Sequence, residues 1–78
     1  MNVLAKIHYE TGESYANIAA LAALDASYIC KVAHGVKPLT PYLVGVVSAF
    51  YSSYLPEAKE QYMARYYRRL NRYLNQHK

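Results

Sequence analysis

The side chains able to do covalent or metal chemistry in this chain are few and scattered. Cys30 is the single cysteine, so neither an intrachain disulfide nor a thiolate pair for zinc is available. It reads as a small, partly buried thiol rather than one activated by neighbouring Lys31. His8, His34 and His77 stand on separate segments without metal-ligand spacing. The carboxylates Glu10, Glu13, Asp25, Glu57 and Glu60 form no pair inside an apolar run, and no glycine-rich phosphate cradle exists. Cys30 lacks a convincing base. These residues imply no enzyme, no metal and no cofactor. What remains is cationic and hydrogen-bonding chemistry, and it is unevenly placed. Up to residue 56, Lys6, Lys31 and Lys37 cancel Glu10, Glu13 and Asp25, so the formal net charge of +4 lies wholly in residues 57–78. Arg65, Arg68, Arg69 and Arg72 dominate that segment and form a candidate basic ridge, suited to a polyanion or to keeping an exposed helix solvated.

Seventy-eight residues leave room for one domain over 1–78, burying only about 60% of its unfolded surface, so a partner chain is a natural complement. Strand alternation is nearly absent and helical punctuation recurs. Residues 2–11 place Val3, Leu4, Ile7 and Thr11 at helical spacing, and Gly12 is suited to end that helix in the left-handed conformation. Ser14 caps a second helix over Tyr15 to Ala22, with Ile18, Ala19 and Leu21 or Ala22 inward. Asp25 caps a third over Ala26 to Ala33, with Ile29 and Val32 inward, Ser27, Lys31 and His34 outward, and Gly35 as the stop. Thr40 and Pro41 open a fourth over residues 41–53, with Leu43, Val44, Val47 and Phe50 inward. These make a four-helix core over 2–53. A final amphipathic helix begins near Pro56 and runs to 75 or 76, with Ala58, Tyr62, Tyr66 and Leu70 on one seam and Met63, Tyr67, Leu70 and Leu74 on the next. Short loops join the elements, and the expectation is an all-α five-helix bundle.

The segment 15–35, YANIAALAALDASYICKVAHG, resembles the helix-turn-helix of the Cro and lambda-repressor family, also called the XRE family. The residues that carry the resemblance are Ile18, Ala19, Ala23, Leu24, Asp25, Ser27, Tyr28, Ile29, Lys31, Val32 and Gly35. Each also has a physical reason. A residue without bulk at Ala19 lets two crossing helices approach closely, and Ile18, Leu24, Ile29 and Val32 fill the angle between them. The sequence departs from the family at Ala23, where glycine is usual. An alanine held left-handed there costs on the order of 1 kcal/mol. It departs again on the outer face of the third helix, which offers Lys31 and no arginine. The resemblance covers residues 2–52 and leaves the final helix outside.

The resemblance implies a lambda-repressor-like fold and a sequence-specific DNA-binding transcriptional regulator, often a repressor, of phage, plasmid or bacterial type. Its partner would be double-stranded DNA, with the third helix in the major groove and a homodimer on a two-fold operator. Candidate DNA contacts are Lys31, for base edges or phosphate, and Ser27, near the start of the same helix. His34 and Lys37 flank Gly35 within reach of phosphate. Tyr28 suits either a base contact or packing on the fourth helix, and Tyr15 either a phosphate or open solvent. Tyr62, Met63, Tyr66, Tyr67, Leu70, Tyr73 and Leu74 form a candidate dimer or protein-partner interface on the final helix, because the stripe exceeds what one small bundle can cover. The arginine ridge has three readings: phosphate contact, the wet face of a dimerising helix, or an acidic protein. An alternative function is a protein-binding module on the same scaffold, such as a phage inhibitor of host machinery. A helix lying on an anionic membrane is a weaker idea, since the Leu, Trp and Phe that anchor such helices are sparse. With no signal-peptide pattern and no span of ~20 apolar residues, the expected location is the bacterial cytoplasm, without membrane association.

Overall fold

Cap chemistry sets the boundaries of the helices. A computed structural model describes residues 2–76. It contains five α-helices and, among the described residues, no strand: α1 (Val3–Thr11), α2 (Tyr15–Ala22), α3 (Ala26–Ala33), α4 (Pro41–Phe50) and α5 (Leu55–Gln76), with a 3-10 turn at Ser52–Tyr54. The Asn2, Ser14, Asp25 and Thr40 side chains each accept an otherwise unpaired amide in the first turn of the helix they precede. Pro41 takes the first helical position of α4, where its missing N–H costs nothing. Gly12 ends α1 at φ 78.

The ends of α2 and α3 share one hydrogen-bond pattern. After α3, the Gly35 amide donates to Val32 and the Val36 amide to Lys31, around Gly35 at φ 79. After α2, the Ala23 amide donates to Ala20 and the Leu24 amide to Ala19, around Ala23 at φ 55 and ψ 41. Both are Schellman ends, and only the second asks a side-chain-bearing residue to be left-handed. Relieving that strain is worth about 1–2 kcal/mol. Glycine gives back about 0.4–1 kcal/mol by freeing the unfolded chain. Ala23→Gly is therefore expected to stabilise the fold by about 0.5–1 kcal/mol, a rise of about 2–8 °C in melting temperature for a chain this size. Thermal unfolding followed by circular dichroism checks it, and an unchanged or lower midpoint contradicts the strain.

The core is continuous from Val3, Leu4 and Ile7 through Ile18, Ala19, Ala22, Ile29, Val32 and Ala33 to Leu39, Leu43, Val46, Val47 and Ala58. α2 packs on α3 and α4, α1 on α3 and α5, and α4 on α5. Several inward assignments need correction. Leu24 is exposed, whereas of the two alternatives Leu21 and Ala22 it is Ala22 that is buried, as one of them was expected to be. α4 stops at Phe50 rather than at residue 53, Phe50 is 52% exposed, Val44 is half-buried, and Val46 takes the inner place. Because α4 is apolar nearly all round, its own periodicity cannot say which side meets a neighbour.

α5 is latched to α1 by polar contacts. The Val3 amide donates to Gln61 Oε1 at 2.8 Å, and Lys6 Nζ pairs with Glu57 Oε1 at 3.1 Å. That hydrogen bond, with its charge attraction, raises the Lys6 pKa and lowers that of Glu57. Tyr54 donates to Glu10 at 2.9 Å, a bond that raises the phenol pKa. Ala58 is the last fully buried residue of α5, and the helix then runs past the core. The radius of gyration is accordingly 13.6 Å, with extents of 46 × 24 × 20 Å, against the ~11.5 Å expected of a spherical chain of this length. No single described helix is long and apolar enough to cross a membrane. The one helix pair that passes by length and composition, α2 with α3, is bent by 114°.

Candidate nucleic-acid interface

Three residues, Ala23, Leu24 and Asp25, join α2 to α3 and turn the chain through 114°. The turn is held from inside and outside. Inside, Ala19 allows the helices to approach while Ile18, Ile29 and Val32 are fully buried between them. Outside, Tyr42 reaches from α4 and donates its hydroxyl to the Ala22 carbonyl at 2.6 Å, satisfying an end group that α2 cannot satisfy itself. Sequence reading assigned Tyr42 no role, because that bond spans elements and has no local signature.

With Ile29 and Val32 inward, the opposite face of α3 is free. Ser27, Lys31 and His34 occur at i, i+4 and i+7, lie on one side and are all exposed. Ser27 donates its hydroxyl to Asp25 Oδ2 at 3.1 Å while its amide donates to Asp25 Oδ1 at 3.2 Å, so its oxygen faces solvent as an acceptor. His34 donates Nδ1–H to the Cys30 carbonyl at 2.8 Å, since a carbonyl only accepts, which fixes the ring and leaves Nε2 for a ligand. The Lys31 carbonyl accepts from Val36 and Lys37, tying the following loop to the base of this face. Cys30 is half-buried beside it.

The remaining candidates separate. Tyr28 is half-buried against the core, which favours its packing alternative. Tyr15 is also half-buried, stacked on His8 with centroids 4.5 Å apart and edge-on to His34 at 6.2 Å. Burial raises its pKa first, with Tyr9 and Cys30 adding to the effect. This aromatic row joins α1, α2 and α3 on one side, and His8, whose Nδ1 donates to the Glu13 carbonyl at 2.6 Å, is a member that sequence reading missed. Lys37 stands away from the row and lines a groove of about 540 Å³ with Gly35, Pro38, Gln61, Arg65 and Arg68. Exposed Val36, at 69%, is a second missed surface residue, next to Lys37.

On α5, Tyr62 is half-buried against the core, whereas Met63, Tyr66, Tyr67, Leu70, Tyr73 and Leu74 are exposed. Arg65, Arg68, Arg69 and Arg72 are exposed and together line a concavity of about 260 Å³. Among the described residues no group of three His, Cys, Asp or Glu side chains converges as a metal site would require. No protein-family model matches the chain, and neither a curated protein nor a solved structure matches it.

Proposed function

We propose that this protein is a sequence-specific DNA-binding regulator of the Cro and lambda-repressor kind, acting as a homodimer with α3 in the major groove. In this reading α2 and α3 form a helix-turn-helix. The observation that carries it is the pairing of a 114° elbow with a three-residue turn and an α3 whose inner face is sealed while Ser27, Lys31 and His34 stand exposed. A helix held this way projects its outer face into a groove about 12 Å wide, whereas a side-by-side hairpin would hide it. In a two-fold dimer the two copies of α3 would lie about 34 Å apart, one DNA turn. Occupying a promoter would then suffice for repression.

A second reading, a protein-binding module on the same scaffold, draws on the thin charge of that face. Lys31 is its one permanent cation, Leu21, Leu24 and Tyr42 are exposed around the elbow, and Val36 is exposed past the far end of α3. Selection of bound duplexes from a random pool at fixed salt, with a mass measurement of the complex, separates the two. The DNA reading expects an enriched two-fold sequence and two chains per duplex. Lys31→Ala is expected to weaken binding to that sequence by ~1–3 kcal/mol while leaving stability unchanged. A pool that stays random, or an affinity indifferent to Lys31, favours the protein-binding reading.

A further inference from the structure

The arginines of α5 sit on the face that continues from its contact with the core. Arg65, Arg69 and Arg72 follow Ala58 by seven, eleven and fourteen residues, so at about 100° per residue they share its side of the helix, with Arg68 adjoining. Met63, Tyr67, Leu70 and Leu74 fall on the opposite side. Beyond Ala58 the cationic face therefore looks along the loop that leaves α3. The groove of about 540 Å³ has Lys37 and Gly35 on the loop wall and Arg65 and Arg68 on the helix wall. Glu57 and Glu60 also line this groove, at the N-terminal end of α5, with Glu57 held by Lys6; the second concavity, further along the helix, is lined by the four arginines alone. Among the described residues none of these arginines is paired with a carboxylate. The ion pair is Lys6 with Glu57, and Arg68 Nε reaches only the Ala64 carbonyl of its own helix, at 3.4 Å.

We propose that Lys37 and the arginine face of α5 form a phosphate-binding track that grips the DNA backbone beside the base pairs faced by α3. Duplex DNA as the occupant rests on the function proposed above, and the track itself on charge complementarity. From Arg65 to Arg72 the helix rises about 10 Å at 1.5 Å per residue. With α5 lying along the duplex axis, one strand of B-DNA presents about three phosphates over that length, at 3.4 Å of axis per strand. Guanidinium groups match phosphate oxygens in paired hydrogen bonds, and their release of counterions supplies affinity without reading sequence. The division of labour accounts for the sparse charge of α3: that helix specifies while α5 holds. It also frees the apolar stripe, on the other side of α5, for a second copy of the chain.

The test uses the full chain carrying Arg65→Gln, Arg68→Gln, Arg69→Gln and Arg72→Gln together, with Lys59→Gln as the control for a charge outside the arginine face. Glutamine keeps the helix propensity, and circular dichroism verifies the fold. Affinity for the selected duplex and for a random one is measured from 50 to 200 mM salt. Each phosphate contact contributes about 0.9 to the slope of log affinity against log salt, so the quadruple variant should lose about 3 units of slope per chain, about 5 for two chains on one duplex, and at least ~100-fold in affinity at 0.1 M. The preference for the selected duplex should persist, and Lys59→Gln should keep the full slope. An unchanged slope with preference intact overturns the track and spares the α3 reading. A collapsed slope on duplexes the wild type never distinguished upholds the track and overturns the α3 reading. A wild-type chain that binds neither duplex overturns both.

Discussion

Ile29→Ala is expected to remove about 2–5 kcal/mol of folding stability, the usual cost of truncating a fully buried isoleucine whose surroundings cannot collapse onto the space left behind. Ile29 is 0% exposed and lies between α3 and the helices it packs against, α1 and α2. Two properties of α3 make collapse difficult. The helix has only eight residues, too few to persist in water without tertiary burial, and its inner face consists of Ile29, Val32 and Ala33. It also meets α2 across a steep bend, so sliding along the contact to refill the space would break the Schellman bonds at Ala23 and Leu24. A 78-residue chain at ~0.05–0.15 kcal/mol per residue has roughly 4–12 kcal/mol in total. The variant should therefore be partly unfolded at 37 °C, with the proposed DNA binding lost in proportion to the unfolded fraction. Urea denaturation measures the change directly. A loss below about 1 kcal/mol would mean that α3 is held by something other than its inner face.

Much of this architecture was legible because its signals are local. Ser14, Asp25 and Thr40 act on amides two or three residues away, and Gly12 and Gly35 act on their own φ angles, so a short window of sequence contains the whole cause. The all-helical class and the outward placement of Ser27, Lys31 and His34 followed from the same windows. The failures are the choices made by distant neighbours. Nothing in the run PYLVGVVSAF says that Val46 rather than Phe50 meets the core, because both faces of α4 are apolar and the position of α5 decides. Leu24 fits an elbow by type, yet it is 37% exposed while Ile18, Ile29 and Val32 fill the angle between the helices. On α5 the separation of arginines from Tyr, Met and Leu is plain in the sequence, but which face turns towards the core is set by long-range contacts of Glu57, Ala58, Gln61 and Tyr62. The groove joining Lys37 to Arg65 depends on that outcome, as does the bond from Val3 to Gln61 across 58 positions, and neither leaves a local trace.

The second large effect is expected from Leu70→Glu, which should convert the proposed dimer into a monomer while leaving each chain folded. Leu70 lies twelve residues past Ala58, on the stretch of α5 that the core does not cover. It is 38% exposed, among Met63 at 36% and Leu74 at 52%. Because Leu70 lies outside the core cluster, the substitution should change the melting temperature of the isolated chain little. In a two-fold assembly the same change occurs on both sides of the axis. Each copy forfeits roughly 1–2 kcal/mol of apolar burial and leaves a carboxylate facing a dry surface, at a further cost of about 1–3 kcal/mol. Summed over two copies, at about 1.4 kcal/mol per tenfold, dimerisation should weaken at least 100-fold. Analytical ultracentrifugation at micromolar concentration should then give twice 8.9 kDa for the wild type and 8.9 kDa for the variant. The DNA consequence is selective. Affinity for a two-fold sequence should fall steeply because one chain cannot span two half-sites, whereas the salt-sensitive grip proposed for the α5 arginines should persist in each separate chain on a random duplex. A variant that keeps the wild-type mass would place the dimer contact elsewhere, and a wild type that stays monomeric on its selected duplex would remove the two-fold operator altogether.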